Sequence, residues 1–132
     1  MKYVRTILFC FMACVFLAGI VSAQDTIKIG LLAPLTGPAA ADGLSVQNSV
    51  KLAVEKVNAE GGVLGKKIEL ITYDDRADAK DAVALARKLI EQDKIIAMVG
   101  GSYSTPSRAM APIFQEEKIP AVYAYAVHPD VT

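Results

Sequence analysis

The chain has 132 residues, 53% of them hydrophobic, and its 14 Lys and Arg balance 14 Asp and Glu. That balance argues against nucleic acid as a partner, because phosphate binding needs a concentrated cationic face. The two cysteines, Cys10 and Cys14, both fall within the first 23 residues, so the remainder can form neither a disulfide nor a thiolate metal site.

In residues 1–23, Lys2 and Arg5 precede an uncharged run from Thr6 to Ala23, which closes on Val21-Ser22-Ala23 before polar Gln24-Asp25. A positive start, an apolar middle and a small-residue end mark a secretory signal peptide, with cleavage expected after Ala23. An uncleaved anchor is the rival reading, since ~20 apolar residues can cross a bilayer. The small residues at Val21 and Ala23 favour cleavage. Cys10 and Cys14 lie too early in the apolar run for lipoprotein processing. Residues 24–132 then carry 12 basic against 14 acidic side chains and contain no second apolar stretch of membrane length. They are expected to form an exported globular segment.

Four strand-length apolar segments then alternate with three helical patterns. The first strand is expected over Thr26–Ala33, ending at Pro34-Leu35-Thr36-Gly37-Pro38. From Leu44 to Ala59, Val46, Val50, Ala53, Val54 and Val57 share one helical face, and Gly61-Gly62 provide the stop. A second strand, Lys67–Tyr73, closes on Asp74-Asp75. The helix Asp78–Gln92 follows, with Ala82, Val83, Ala86, Leu89 and Ile90 facing inward. Ile95–Val99 reads as a buried strand ending in Gly100-Gly101. The third helix runs from about Pro106 to Glu117, with Ala109, Met110, Ile113 and Phe114 inward and a kink or local loosening expected at Pro112. Ala121–Ala126 is the fourth strand. Strands spaced by such helices imply an α/β fold with a parallel sheet and right-handed crossovers. Met98 and Met110 are expected in its core.

Ligands of open parallel sheets bind beyond the carboxyl ends of the strands. Of the segments placed there, Gly100-Gly101-Ser102-Tyr103-Ser104-Thr105-Pro106 carries the most chemistry. The glycines let backbone approach a ligand, Thr105 suits an N-cap and Pro106 the first helical position. A helix N-terminus attracts an anion, and Ser102 and Ser104 add hydroxyl donors. The dipole contributes roughly 0.3–1 kcal/mol, a hydrogen bond to a charged group about 1.5–3, so the direct bonds should dominate. An ordinary capped helix with a polar turn has the same spacing. Tyr103 and Tyr125 are placed to stack against a ligand. Asp74-Asp75 lack a phosphate loop or a third acidic ligand and are expected as solvated or capping carboxylates. His128, the only histidine, has no partner for nucleophilic or metal chemistry. No cofactor or metal is expected, and an enzyme with Asp74 or Asp75 catalytic is the weakest of the function classes.

Together the segments resemble the leucine/isoleucine/valine-binding proteins, the type I periplasmic solute-binding family of ABC importers. The resemblance rests on Thr36-Gly37-Pro38, the run from Asn58 to Lys66, Tyr73-Asp74-Asp75, the turn Gly100–Ser104 and Pro129-Asp130-Val131-Thr132. It implies two α/β lobes closing on a solute in a Venus-flytrap fold. Residues 24–132 would be an incomplete N-terminal lobe, with the second lobe missing. The implied function is periplasmic capture of a branched-chain or related amino acid and delivery to an inner-membrane permease, without catalysis. By resemblance, Ser104 holds the ligand carboxylate and the Tyr125 backbone contacts the ligand. Val127 stands where a threonine helps receive an ammonium group, and Asp42 where a tyrosine lines the first loop. Asp42 either supplies a replacement negative charge or faces solvent, and the second is expected. These departures leave a carboxylated aromatic or amide-type solute as an alternative; because the same lobe architecture serves signalling, a sensory module of a receptor is another. The expected ligand-binding set is Ser102, Tyr103, Ser104, Thr105, Tyr125 and Val127.

Overall fold

A computed structural model describes residues 26–131. The expected signal peptide, with Cys10 and Cys14, lies outside the described residues. Strand β1 (Ile27–Ala33) is flanked by β2 (Ile68–Asp74) and β3 (Ala97–Gly100), with β4 (Ala121–Tyr123) beyond β3. Every pairing is parallel, as the alternation of strands and helices requires. Successive side chains of a strand point to opposite faces, so central β1 supplies both cores. Leu31 and Ala33 pack with Val46 of helix α1 (Ala40–Ala59). Leu32 packs on the other face with Ala82, Ala86 and Leu89, and with Met98, Met110 and Phe114. That face is covered by α2 (Ala79–Lys88) and α3 (Ser104–Glu116). The result is a three-layer α/β/α lobe.

Helix α1 begins at Ala40, a turn earlier than its apolar period suggests. Its early turns bury only Gly43 and Val46, so the start is set by helix-favouring alanines and Asp42 at the dipole rather than by packing. At the other end the Gly62 amide reaches back to the Val57 carbonyl at 2.8 Å, closing the helix at a glycine with φ 81°. Asn58 then clamps the start of β2, donating to the Ile68 carbonyl at 2.9 Å and accepting from its amide at 2.7 Å.

Further boundaries differ from expectation. Helix α2 stops at Lys88 and continues as a π turn over Leu89–Asp93, released by Lys94 in a left-handed conformation. Ile95 packs into the core before β3 begins at Ala97, while Ile96 is exposed. Strand β4 ends at Tyr123: after the Ala124 amide bonds to the Gly100 carbonyl at 2.7 Å, the chain leaves the ladder, with Tyr125 56% and Val127 89% exposed. Pro112 does not interrupt α3, which continues as one element to Glu116. Pro112 and Arg108 are both exposed, so water can satisfy the Arg108 carbonyl that a proline leaves unpaired. A short 3-10 turn, Pro129–Val131, returns to α3, where Asp130 pairs with Arg108 at 3.0 Å. No helix of the described residues is long and apolar enough to cross a membrane.

Candidate functional site

Strand β1 is followed by β2 on one side, while β3 and β4 lie on the other. The strand order therefore reverses between β1 and β3, the place where open α/β sheets form ligand crevices. The loop after β3 makes one wall of that crevice. Gly100 and Gly101 both have positive φ, 138° and 63°. A side chain on Gly100 would strike the Leu32 carbonyl, and one on Gly101 would meet the Tyr123 ring at 2.5 Å. The loop is thus pressed onto β1 and turned sharply into α3.

The helix starts two residues before the expected position. Tyr103, in extended backbone, is the N-cap and gives no side-chain cap bond. Its carbonyl accepts from both the Ser107 amide, at 3.1 Å, and the Ser107 hydroxyl, at 2.7 Å. Those bonds anchor the first turn at Ser104, so Thr105 is not the N-cap and Pro106 is not the first helical residue. Amides at the start of a helix have no partner within it, and here no side chain caps them. Ser102, 5% exposed, has a buried hydroxyl with no hydrogen-bond partner. Such a group costs about 1–3 kcal/mol unless something else bonds to it.

Ser102, Tyr103, Ser104, Tyr125 and Val127 line a cleft of about 460 Å³ together with Asp42. Thr105 is exposed and outside that lining. Asp42 is exposed, as expected, yet it is not a free surface group: its Oδ2 accepts the Tyr103 hydroxyl at 2.6 Å. That bond, with some burial and the charge of Asp42, raises the Tyr103 phenol above its ordinary value, so the phenol remains a donor. The pairing spans 61 residues of sequence, and the only sequence signal for it was the unusual acid at position 42. Among the described residues no basic side chain lines the cleft. An anion there would be received by amides and hydroxyls.

The acidic pair after β2 is not simply solvated. Asp74 accepts from the Leu35 amide at 2.7 Å, the Thr36 hydroxyl at 2.5 Å and the Arg76 amide at 2.9 Å. Burial pushes its carboxyl up, but these bonds outweigh it and the net shift is downward. Asp75 is 0% exposed, with Oδ1 bonded to the Ala77 amide at 3.0 Å and Oδ2 unpartnered. Burial raises its carboxyl, the Ala77 bond opposes that, and the charges of Asp74 and Asp81 add to the rise. Together they hold Arg76 and Ala77 at φ 51° and 58°, which links β1, β2 and α2 rather than lining the cleft. A carboxyl raised on folding binds its proton more tightly in the native state, so its stabilising contribution is lost as pH rises from 3.8 through the native value. Asp75→Asn should therefore exceed the parent's thermal midpoint at pH 7.5 by about 4 °C, the shift that roughly 1 kcal/mol produces in a domain of this size. The difference should vanish on acidification below pH 3.8. A variant less stable than the parent across that whole range would show that the carboxylate is not a burden.

His128 stands apart, its Nδ1 accepting from the Asp130 amide at 3.2 Å. Among the described residues no three His, Cys, Asp or Glu side chains form a group able to hold a metal.

Comparison with known proteins agrees with this architecture. The sequence model of one family, described as periplasmic binding protein, matches residues 26–132. The leucine-, isoleucine-, valine-, threonine- and alanine-binding protein of Pseudomonas aeruginosa is 36% identical over 125 residues, covering 95% of this chain and 33% of that protein. The chain thus spans about a third of the length of that curated relative. A branched-chain amino acid transporter substrate-binding protein from Streptococcus pneumoniae, solved in complex with isoleucine, superposes with a TM-score of 0.78 at 31% identity. It matches 81% of this chain and 31% of that one. A solute-binding protein from Rhodopseudomonas palustris, in complex with 3,4-dihydroxybenzoic acid, gives 0.70 at 36% identity over 76% of this chain and 27% of that one.

Proposed function

This chain belongs to the periplasmic binding protein family, and we propose that it forms the N-terminal ligand-facing lobe of the solute-binding component of an ABC importer. The leader at residues 1–23 exports it to the periplasm. There it captures a branched-chain or related amino acid by its carboxylate and delivers it to the inner-membrane permease, without chemical change. One observation carries the reading: the start of α3 has no side-chain cap, and the buried Ser102 hydroxyl beside it has no partner. A carboxylate seated there would accept from the amides and from the hydroxyls of Ser102 and Ser104. Hydrogen bonds to a charged group contribute about 1.5–3 kcal/mol each, more than the exposed helix field.

The test is calorimetric titration of the intact protein with leucine and isoleucine. Ser104→Ala should weaken the bound amino acid roughly tenfold or more; unchanged affinity would remove Ser104 from the site. In the two-lobe reading, closure needs contacts from both lobes, so residues 24–132 alone should bind far more weakly than the intact protein. Micromolar binding by that segment would contradict the two-lobe reading.

A carboxylated aromatic solute is the second reading. Tyr103 and Tyr125 offer flat surfaces in the cleft lining, and Val127 has no hydroxyl to help hold an ammonium group.

A further inference from the structure

Across the cleft from the serines stands a charge that a carboxylate receptor does not need. Asp42 lies in the first turn of α1, on the far side of the switch point from the loop after β3. An acid in that turn suits the helix dipole, but the dipole does not account for the bond to Tyr103 or for a place in the cleft lining. The Tyr103 hydroxyl occupies Oδ2 and fixes the carboxylate's direction. A carboxylate has about four lone-pair sites, so Asp42 keeps capacity for a further donor. Among the described residues no Lys or Arg forms an ion pair with it, unlike Asp81 and Asp130, which pair with Arg76 and Arg108. Because Tyr103 directly precedes Ser104, this acceptor stands about one tyrosine side chain from the helix amides. An unneutralised carboxylate there repels a second negative group on the ligand and rewards a donor.

We propose that Asp42 is a specificity-determining residue: the cleft takes a monocarboxylate that also carries a hydrogen-bond donor, an ammonium or a phenolic hydroxyl, and rejects dicarboxylates. Tyr103 is its positioning residue. This rests on the reading of the α3 N-terminus as the carboxylate receptor.

The experiment is calorimetric titration of the intact protein with matched probes. Leucine is set against 4-methylpentanoate, which lacks the amine. The acid 3,4-dihydroxybenzoate is set against benzoate, and glutarate supplies a dicarboxylate. In at least one pair the donor-bearing member should bind about tenfold tighter or more, and which pair responds tells ammonium from phenol. Asp42→Asn should reduce that ratio to about threefold or less, with the donorless member changed by less than about twofold and glutarate strengthened. Tyr103→Phe should lower the same ratio partway, a change in selectivity that a purely structural tyrosine would not produce. If Asp42→Asn leaves the ratio intact while Ser104→Ala still weakens binding, the inference about Asp42 fails and the carboxylate reading survives. If none of these probes binds the parent, both fail.

Discussion

Gly43→Ala is expected to lower the midpoint of thermal unfolding by about 4 °C or more, although alanine is the better helix former. Within a helix, glycine is disfavoured by about 1 kcal/mol relative to alanine, so propensity alone forecasts a gain. The surroundings decide otherwise. A Cβ at Gly43 would land on the backbone carbonyl of Pro34, with the proline ring carbon Cδ only 3.0 Å away. Pro34 is fully buried and directly follows Ala33, itself 0% exposed at the end of β1. A carbonyl in that position has no rotamer through which to yield, so α1 itself must move. Overpacking of a tight interface costs about 1–3 kcal/mol and occasionally more, and each kcal/mol shifts the midpoint of a domain this size by about 4–8 °C. Displacing the first turn of α1 also carries Asp42 away from Tyr103, so selectivity should fall with stability. Differential scanning calorimetry checks this directly. A midpoint that rises instead would mean that α1 is not seated on Pro34.

Ser102→Ala should separate stability from function in the opposite sense. Its buried hydroxyl is unpartnered, and removing such a group relieves a cost of about 1–3 kcal/mol. The ligand-free protein should therefore gain about 4 °C or more in midpoint. Affinity for a carboxylate ligand should fall roughly ten- to a hundredfold, because the lost bond is to a charged acceptor. Ser104→Ala should share the loss of affinity without the gain in stability, since Ser104 is only half-buried. Thermal melts of the ligand-free variants and titrations of the same samples give both readings. If Ser102→Ala lowers the midpoint and leaves affinity unchanged, the hydroxyl serves the fold and not the ligand.

Much of this lobe was legible along the chain because its signals are local. Val46 and Val50 of α1, and Ala82, Ala86 and Leu89 after Asp78, repeat at the helical period, and each set packs on the sheet. Asp78, at the expected start of the second helix, is its N-cap and accepts from the amides of Lys80 and Asp81. The helix start at Ala40 was hidden because its first turn buries too little to leave a period. The π turn at Leu89–Asp93 has the composition of an ordinary helix and differs only in how its carbonyls are paired. At the start of α3, Thr105-Pro106 carried the stronger N-terminal signal, yet the two hydrogen bonds from Ser107 to the Tyr103 carbonyl outweighed it.

The amino-acid sequence on its own determined the alternation of strands and helices, the parallel α/β class, the methionine-bearing core and the glycine-serine turn at a strand end. Those features arise from neighbours in the chain, where period, propensity and turn chemistry act over a few residues. Only the tertiary structure decided that Asp42 meets Tyr103, that Asp75 is fully buried beside the bonded Asp74, and that the Ser102 hydroxyl is enclosed without a partner. Each depends on which groups a parallel sheet brings together from distant segments. Burial and a partner's absence are properties of that assembly, which no local pattern encodes.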